Sequence, residues 1–150
     1  MMAQCCRYWV LLGLFIMAMT GQGTTVVSAT EAAVLKPRVP VDKIDEARTW
    51  TNPFDATPEN IDKGRALFHG KAFCVTCHGK DGKGNAKMAK MLKVEPAALD
   101  LTDEATTGKS DGDLAQVTTA GSGKMPSYNK KMSEKEIAGV ITYLRGLSAA

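Results

Sequence analysis

The chain has 150 residues, of which 44% are hydrophobic and 23% are charged, and its net charge is +3 at pH 7. This length suits a single domain. So small a net positive charge does not indicate a nucleic-acid-binding protein. The charges are unevenly distributed, because residues 63–93 hold eight basic residues and one acid, whereas residues 95–113 hold six acids and one lysine.

Residues 1–29 have the layout of a secretory signal peptide. Arg7 precedes the apolar run YWVLLGLFIMAM, and the small residues Val27 and Ala29 occupy the minus-three and minus-one places of a cleavage site. The run is shorter than the roughly 20 residues that a membrane-spanning helix needs. We therefore expect export to the periplasm with cleavage near Ala29, and an uncleaved anchor is the alternative.

Residues 30–51 form a polar lead-in to the rest of the chain. Pro37 and Pro40 favour an extended conformation in its first half, and one or two helical turns are expected between Asp42 and Trp50. The domain proper is predicted to occupy residues 52–150.

Four helices are predicted in this domain. No segment shows the alternation of apolar and polar residues that is typical of a half-buried strand. The first begins at the Thr57 cap and runs to about Phe73. Two shorter helices cover about 85–92 and 110–119, and the last begins at a capping box formed by Ser133 and Glu136. Below roughly 70–80 packed residues a chain usually needs a disulfide, a metal or a cofactor, so this all-α domain is expected to pack around a bound group.

The segment CVTCH at residues 74–78 carries the clearest chemical signal. Loss of the leader removes Cys5 and Cys6 and leaves Cys74 and Cys77. These two cysteines lie too close together in the sequence for a disulfide between them to stabilise a domain. A thioredoxin-like thiol pair would need a strand–helix unit, and a zinc site would need two more ligands. Covalent haem attachment explains the spacing, because two thiols bind the porphyrin vinyl groups while His78 reaches the iron.

One other histidine and three other methionines remain after the leader, and each is a possible further iron ligand. His69 precedes the CVTCH segment and is expected to lie on the surface at a helix end. Met88 and Met91 are assigned to core packing, and Met132 is assigned to a contact with the last helix. Each of these four side chains therefore has a structural explanation.

Met125 is the predicted second ligand of the iron. It lies in AGSGKMPSY, where glycines allow close approach of the backbone to a ring system and Pro126 stiffens the loop. A histidine paired with a methionine is the ligand set of haem electron carriers.

Three stretches together resemble class I (mono-haem) cytochromes c of the small bacterial type over residues 52–147. These are NPFDATPENIDKGRALFHGKAFCVTCHGKDGKG, LDLT and SDGDLAQVTTAGSGKMPSYNKKMSEKEIAGVITYLRGL. The resemblance implies a small cytochrome c fold of four to five short helices around one covalent haem c. It implies thioether bonds to Cys74 and Cys77, with His78 and Met125 as iron ligands. It also implies that the first and last helices cross near Gly64.

The function implied by the resemblance is single-electron transfer by a periplasmic carrier with low-spin iron, rather than enzymatic catalysis. Redox proteins would be its partners, and the basic stretch 63–93 is a candidate docking face. The alternative is a permanent electron-transfer haem subunit of a larger periplasmic oxidoreductase, with residues 30–51 as an interaction arm. An open, gas-binding or catalytic haem is disfavoured by the GKMPSY segment. Contact with nucleic acid is not expected, and contact with a membrane is expected only if the leader stays uncleaved.

Overall fold

The structure, a computed structural model, describes residues 40–148. Within this range the chain forms seven α-helices and two short 3₁₀ turns, and it contains no strand apart from one isolated bridge between Ser122 and Met125. The helices are α1 (Ile44–Thr49), α2 (Pro58–His69), α3 (Val75–His78), α4 (Ala86–Leu92), α5 (Glu104–Thr107), α6 (Asp111–Ala120) and α7 (Glu134–Ser148), and the 3₁₀ turns are Val41–Lys43 and Pro96–Leu99. The predicted all-α fold is therefore confirmed.

The predicted helix starts agree with the observed caps. The Thr57 hydroxyl accepts a hydrogen bond from the backbone of Asn60 at the start of α2, and Asn85 caps α4 in the same way. Ser110 and Asp113 form a capping box at the start of α6. Local side-chain-to-backbone bonds of this kind depend on residues three apart, which is why the sequence alone indicates them.

The end of α2 was predicted wrongly. The helix stops at His69 rather than near Phe73, because Gly70 follows it with a non-helical conformation and donates to the carbonyl of Ala66. Phe73 then takes a left-handed conformation, with φ of +52°, and turns the chain into the CVTCH segment.

The core lies where α2 and α7 cross. Phe68 and Ile141 are fully buried at this crossing, and the Phe68 ring packs edge-on against Tyr143 with 5.2 Å between the centroids. A Cβ added at Gly64 would overlap the carbonyl oxygen of Gly139, so the two backbones approach as closely as glycine permits. This crossing forms one side of the site described below.

The second half of the lead-in packs against the helices. Ala47 on α1 is buried, and a Cβ added at Gly112 on α6 would overlap its carbonyl oxygen. The Trp50 indole N–H donates to Glu134 at 3.1 Å, and the Asn52 amide donates to the Thr142 hydroxyl at 3.1 Å. The proposed leader at 1–29 and the first half of the lead-in lie outside the described residues. Within residues 40–148, no helix has the length and apolar character needed to cross a bilayer.

Candidate haem-binding site

The CVTCH segment folds into a single helical turn, α3. Positions three and four apart lie on the same side of a helix, so Cys74, Cys77 and His78 face the same way. The turn is fixed at both ends, since Cys74 donates from its backbone to Phe68 at 3.1 Å and His78 donates to Cys74 at 2.9 Å. Both cysteines are half-buried free thiols.

The imidazole of His78 is oriented by a backbone carbonyl. Its Nδ1 lies 2.8 Å from the carbonyl oxygen of Leu99 in the turn Pro96–Leu99. A carbonyl only accepts hydrogen bonds, so Nδ1 carries the proton and Nε2 presents the lone pair that a metal would bind. Leu99 was not predicted as a site residue. Pro96 marks a turn in the sequence, but nothing local relates this carbonyl to a histidine 21 residues away.

A tight loop after α6 carries Met125. The backbones of Ser122 and Met125 exchange two hydrogen bonds, at 3.0 and 2.9 Å. Gly121 has a φ of +79°, and a Cβ at this position would lie 2.7 Å from the Met125 carbonyl oxygen, so only glycine fits the loop without strain. The loop is tied back to α6, because Tyr128 donates from its backbone to Thr118 at 3.2 Å.

A single cavity of about 300 Å³ joins these elements. Cys74, Cys77, His78 and Met125 all border it, and most of the remaining wall is apolar, with contributions from α2, α6 and α7. The structure therefore brings together all four residues that the sequence predicts as the site. Two thiols, an imidazole and a thioether around an apolar cavity are the donor set and surroundings that covalent haem c requires, so the residues present fit this group.

The two other interpretations of the cysteine pair receive no support. Burial raises the pKa of the Cys74 thiol from 9.0 to about 11, whereas a redox-active thiol needs a lowered pKa. Among residues 40–148, no three histidine, cysteine or acidic side chains come together as a metal site made of protein ligands alone. Neither observation favours disulfide exchange or a zinc site.

The structure corrects two of the side-chain assignments made from the sequence. Met91 is 67% exposed rather than part of the core, since it lies on the outer side of the short helix α4. His69 does end α2, but it is half-buried, and its Nε2 lies 3.5 Å from the Tyr143 hydroxyl. Met132 is buried beside Ile137, as expected.

Not all basic side chains of the stretch 63–93 are available to a docking partner. Three of its members pair with acids outside the stretch: Lys63 with Glu59, Arg65 with Asp62, and Lys71 with Glu136. The other five lysines are exposed, and none of them forms an ion pair with a carboxylate of residues 40–148. This lysine cluster consists of Lys80, Lys83, Lys87, Lys90 and Lys93.

Comparison with known proteins gives a consistent family assignment. The chain is 32% identical over 74 residues to the cbb3-type cytochrome c oxidase subunit CcoP of Cereibacter sphaeroides, which covers 49% of this chain and 23% of that protein. It is 31% identical over 91 residues to subunit CcoP of Helicobacter pylori, which covers 60% of this chain and 29% of that protein. The chain thus spans about a quarter of the length of these relatives.

The family model described as cytochrome c oxidase, cbb3-type, subunit III matches residues 59–144, which is more than half of the 150-residue chain and includes all four predicted site residues. The cytochrome c assignment is thereby confirmed, and with it covalent haem c and iron as the cofactor. The chain belongs to the family of cbb3-type cytochrome c oxidase subunit III.

Proposed function

We propose that this domain transfers single electrons through one haem c held by Cys74, Cys77, His78 and Met125, as a permanent subunit of a larger periplasmic oxidoreductase. The observation that carries the proposal is the shared cavity that all four side chains border. Membership of an oxidase-subunit family favours a place inside a complex.

Each of the four residues has a distinct role in the proposal. The thiols of Cys74 and Cys77 form the covalent links, and their position on one face of α3 lets both reach the same ring. His78 binds the iron through Nε2, while the carbonyl of Leu99 holds the opposite nitrogen. Met125 would supply the second iron ligand, and its tight loop would keep it in place. The bound haem supplies a one-electron couple at its iron, and a neutral sulfur ligand with an apolar wall favours a high potential.

The lysine cluster defined above is the docking surface in this proposal. Lys87, Lys90 and Lys93 lie on or next to α4, and Leu92 and Val94 from the same segment border the cavity. Exposed positive charge beside the site would orient an acidic redox partner and raise its association rate. The same cluster is what favours the second candidate function, a free mono-haem carrier that meets its partners transiently.

The axial ligands can be tested by spectroscopy on the purified holoprotein. We expect low-spin bands, a methionine–ferric charge-transfer band, and no change when carbon monoxide is added to the reduced protein. Met125→Ala should abolish the charge-transfer band and allow carbon monoxide to bind, whereas the exposed control Met91→Ala should behave as the wild type. A wild-type spectrum that is high-spin, or an unaltered Met125→Ala spectrum, would contradict the assignment of Met125.

Purification distinguishes the subunit from the free carrier. An affinity-tagged full-length chain, extracted in mild detergent, is expected to bring down other subunits of an oxidoreductase in constant stoichiometry. A chain that elutes alone, and whose electron exchange slows with rising salt, would instead support the free carrier. Replacing three residues of the lysine cluster with glutamine tests this salt dependence directly. In a steered encounter the variant is slower than the wild type at low ionic strength, and the two become similar at high ionic strength, where the charges are screened.

A further inference from the structure

A second cavity lies on the opposite side of α6 from the candidate haem cavity. Its volume is about 320 Å³, which is similar to that of the candidate haem cavity. Gln116 and Thr119 of α6 border it, whereas Val117 and Thr118 of the same helix border the candidate haem cavity. The remaining wall comes from α1 with Trp50 and from residues 129–137 around the start of α7. The two cavities share no residue, so the proposed haem does not account for this second space.

The charged residues at the second cavity are acidic. Glu46 and Glu134 border it, and within residues 40–148 no lysine, arginine or histidine does. Glu46 is paired with Lys43 at 2.8 Å, on the exposed side of α1. The Glu134 carboxylate forms no ion pair with a cation of the described residues. A cavity with this carboxylate in its wall suits a ligand that brings a positive charge.

Trp50 fixes the position of the Glu134 carboxylate. The indole N–H donates to Oε1 of Glu134 at 3.1 Å, and both residues border the second cavity. No other hydrogen bond to this carboxylate forms within the described part of the chain, so its Oε2 retains the capacity to accept one. Gln116 and Asn129 add amide groups to the same wall.

An arginine side chain matches this wall better than a lysine does. A guanidinium group is planar, carries several N–H donors in a fixed fork and stacks on aromatic rings. It can therefore donate to a carboxylate and to an amide carbonyl while it lies against an indole. An ammonium group is a compact and strongly hydrated charge that has no flat face to stack. Arginine and tryptophan are also enriched in the energetically important parts of protein interfaces.

We propose that the second cavity receives an arginine side chain of a partner subunit, and that its ion pair with Glu134 helps to hold this domain in a complex. The inference rests on the proposed function, because it requires that the domain is a permanent subunit. The second cavity shares no residue with the lysine cluster, so the domain can stay bound here while the lysine cluster meets a redox partner. Residues 46–50 of the lead-in would then form part of the subunit interface.

Charge variants of the affinity-tagged full-length chain test the ion pair. The loss of one charge of an interface pair acts mainly on the dissociation rate, so the other subunits should leave Glu134→Gln about tenfold faster than the wild type. Glu134→Arg should lose them faster still, because two like charges then meet. The control is Glu95→Arg, since Glu95 is exposed and borders neither cavity, and it should behave as the wild type. The haem content and the visible spectrum should be the same in all four proteins.

A second measurement uses the wild-type complex and needs no variant. Carbodiimide with glycine ethyl ester labels accessible carboxylates, and mass spectrometry reads the labelling of each residue. Glu134 should be labelled several-fold less in the complex than in the chain separated from the other subunits, whereas Glu95 should be labelled equally in both. Carbodiimide without an added amine identifies the partner group, because it joins a carboxylate to a lysine amine but not to a guanidinium. We therefore expect no cross-link from Glu134 to a lysine of another subunit.

Each measurement can overturn the inference. Wild-type dissociation of the complex formed by Glu134→Arg would do so, as would equal labelling of Glu134 in the complex and in the separated chain. A cross-link from Glu134 to a lysine would place an amine, rather than a guanidinium, in the second cavity. In all three cases the complex is present, so the proposed function stands although the inference fails. A wild-type chain that elutes alone would instead contradict the proposed place in a complex, and this inference with it.

Discussion

The crossing of α2 and α7 makes a sharp prediction, because its two glycines have different surroundings. A Cβ at Gly64 would overlap the backbone of Gly139 and lie 2.8 Å from the Cβ of Tyr143. A Cβ at Gly139 would meet only the flexible Leu67 side chain, at 3.5 Å. Gly64→Ala therefore has to separate the helices, whereas Gly139→Ala fits in place.

The expected magnitudes follow from two opposing effects. Overpacking a tight interior costs about 1–3 kcal/mol, and replacing glycine by alanine inside a helix gains about 1 kcal/mol. The obstacle at Gly64 is a backbone carbonyl that cannot rotate away, so we take the upper end of the cost and expect a net loss of about 2 kcal/mol. Gly139→Ala should be unchanged or more stable by up to about 1 kcal/mol.

Guanidinium unfolding of the ferric holoproteins, followed by circular dichroism, measures both variants. For a slope of about 4 kcal/mol per molar denaturant, Gly64→Ala should lower the midpoint by about 0.5 M. The slope should be the same in all three proteins, which shows that the change lies in the folded state. Equal stability of Gly64→Ala and Gly139→Ala would refute the close approach of the two backbones.

Two further predictions concern contacts far from the cavity. A hydrogen bond from Lys71 lowers the pKa of Glu136 from 4.5 to about 2, so this carboxylate stabilises the fold above pH 4.5 and loses its effect as the pH falls toward 2. Thermal melts should show Glu136→Gln as less stable than the wild type at pH 7 and equal to it near pH 2; a difference that persists at pH 2 would contradict this. Gly112→Ala should displace α1 and so raise Trp50 fluorescence, since that indole moves away from the quenching haem; unchanged emission would show that α1 does not depend on the close contact of Gly112 with Ala47.

Much of the fold could be predicted because its signals are local. The caps at Thr57, Asn85, Ser110 and Ser133 each rest on residues within four positions of one another, and each marks an observed helix start. The CVTCH spacing likewise fits within one helical turn. Patterns that span only a few residues can be recognised in the sequence without knowledge of the tertiary structure.

The contacts that orient the site residues could not be predicted, because they join distant parts of the chain. The bond to His78 is made by the backbone carbonyl of Leu99. Every residue type has this group, so the sequence does not indicate the contact. Lys109 is the one lysine of the acidic stretch 95–113, and its backbone carbonyl accepts a hydrogen bond from Arg145 of α7, 36 residues later. The exposure of Met91 depends on which side of α4 faces the core, and seven residues give too weak a periodicity to decide it.

Helix α6 links the lead-in, the last helix and the proposed iron ligand. Its Leu114, Val117 and Thr118 border the cavity, and its end continues into the Met125 loop. The opposite side of the helix is covered by α1, and its first residue is bound by Arg145. A helix of only ten residues has little stability of its own, so its position depends on these two outside contacts. Residues remote from the iron would therefore determine how firmly the methionine is held, and residues 41–51 contribute to the site by packing against this domain.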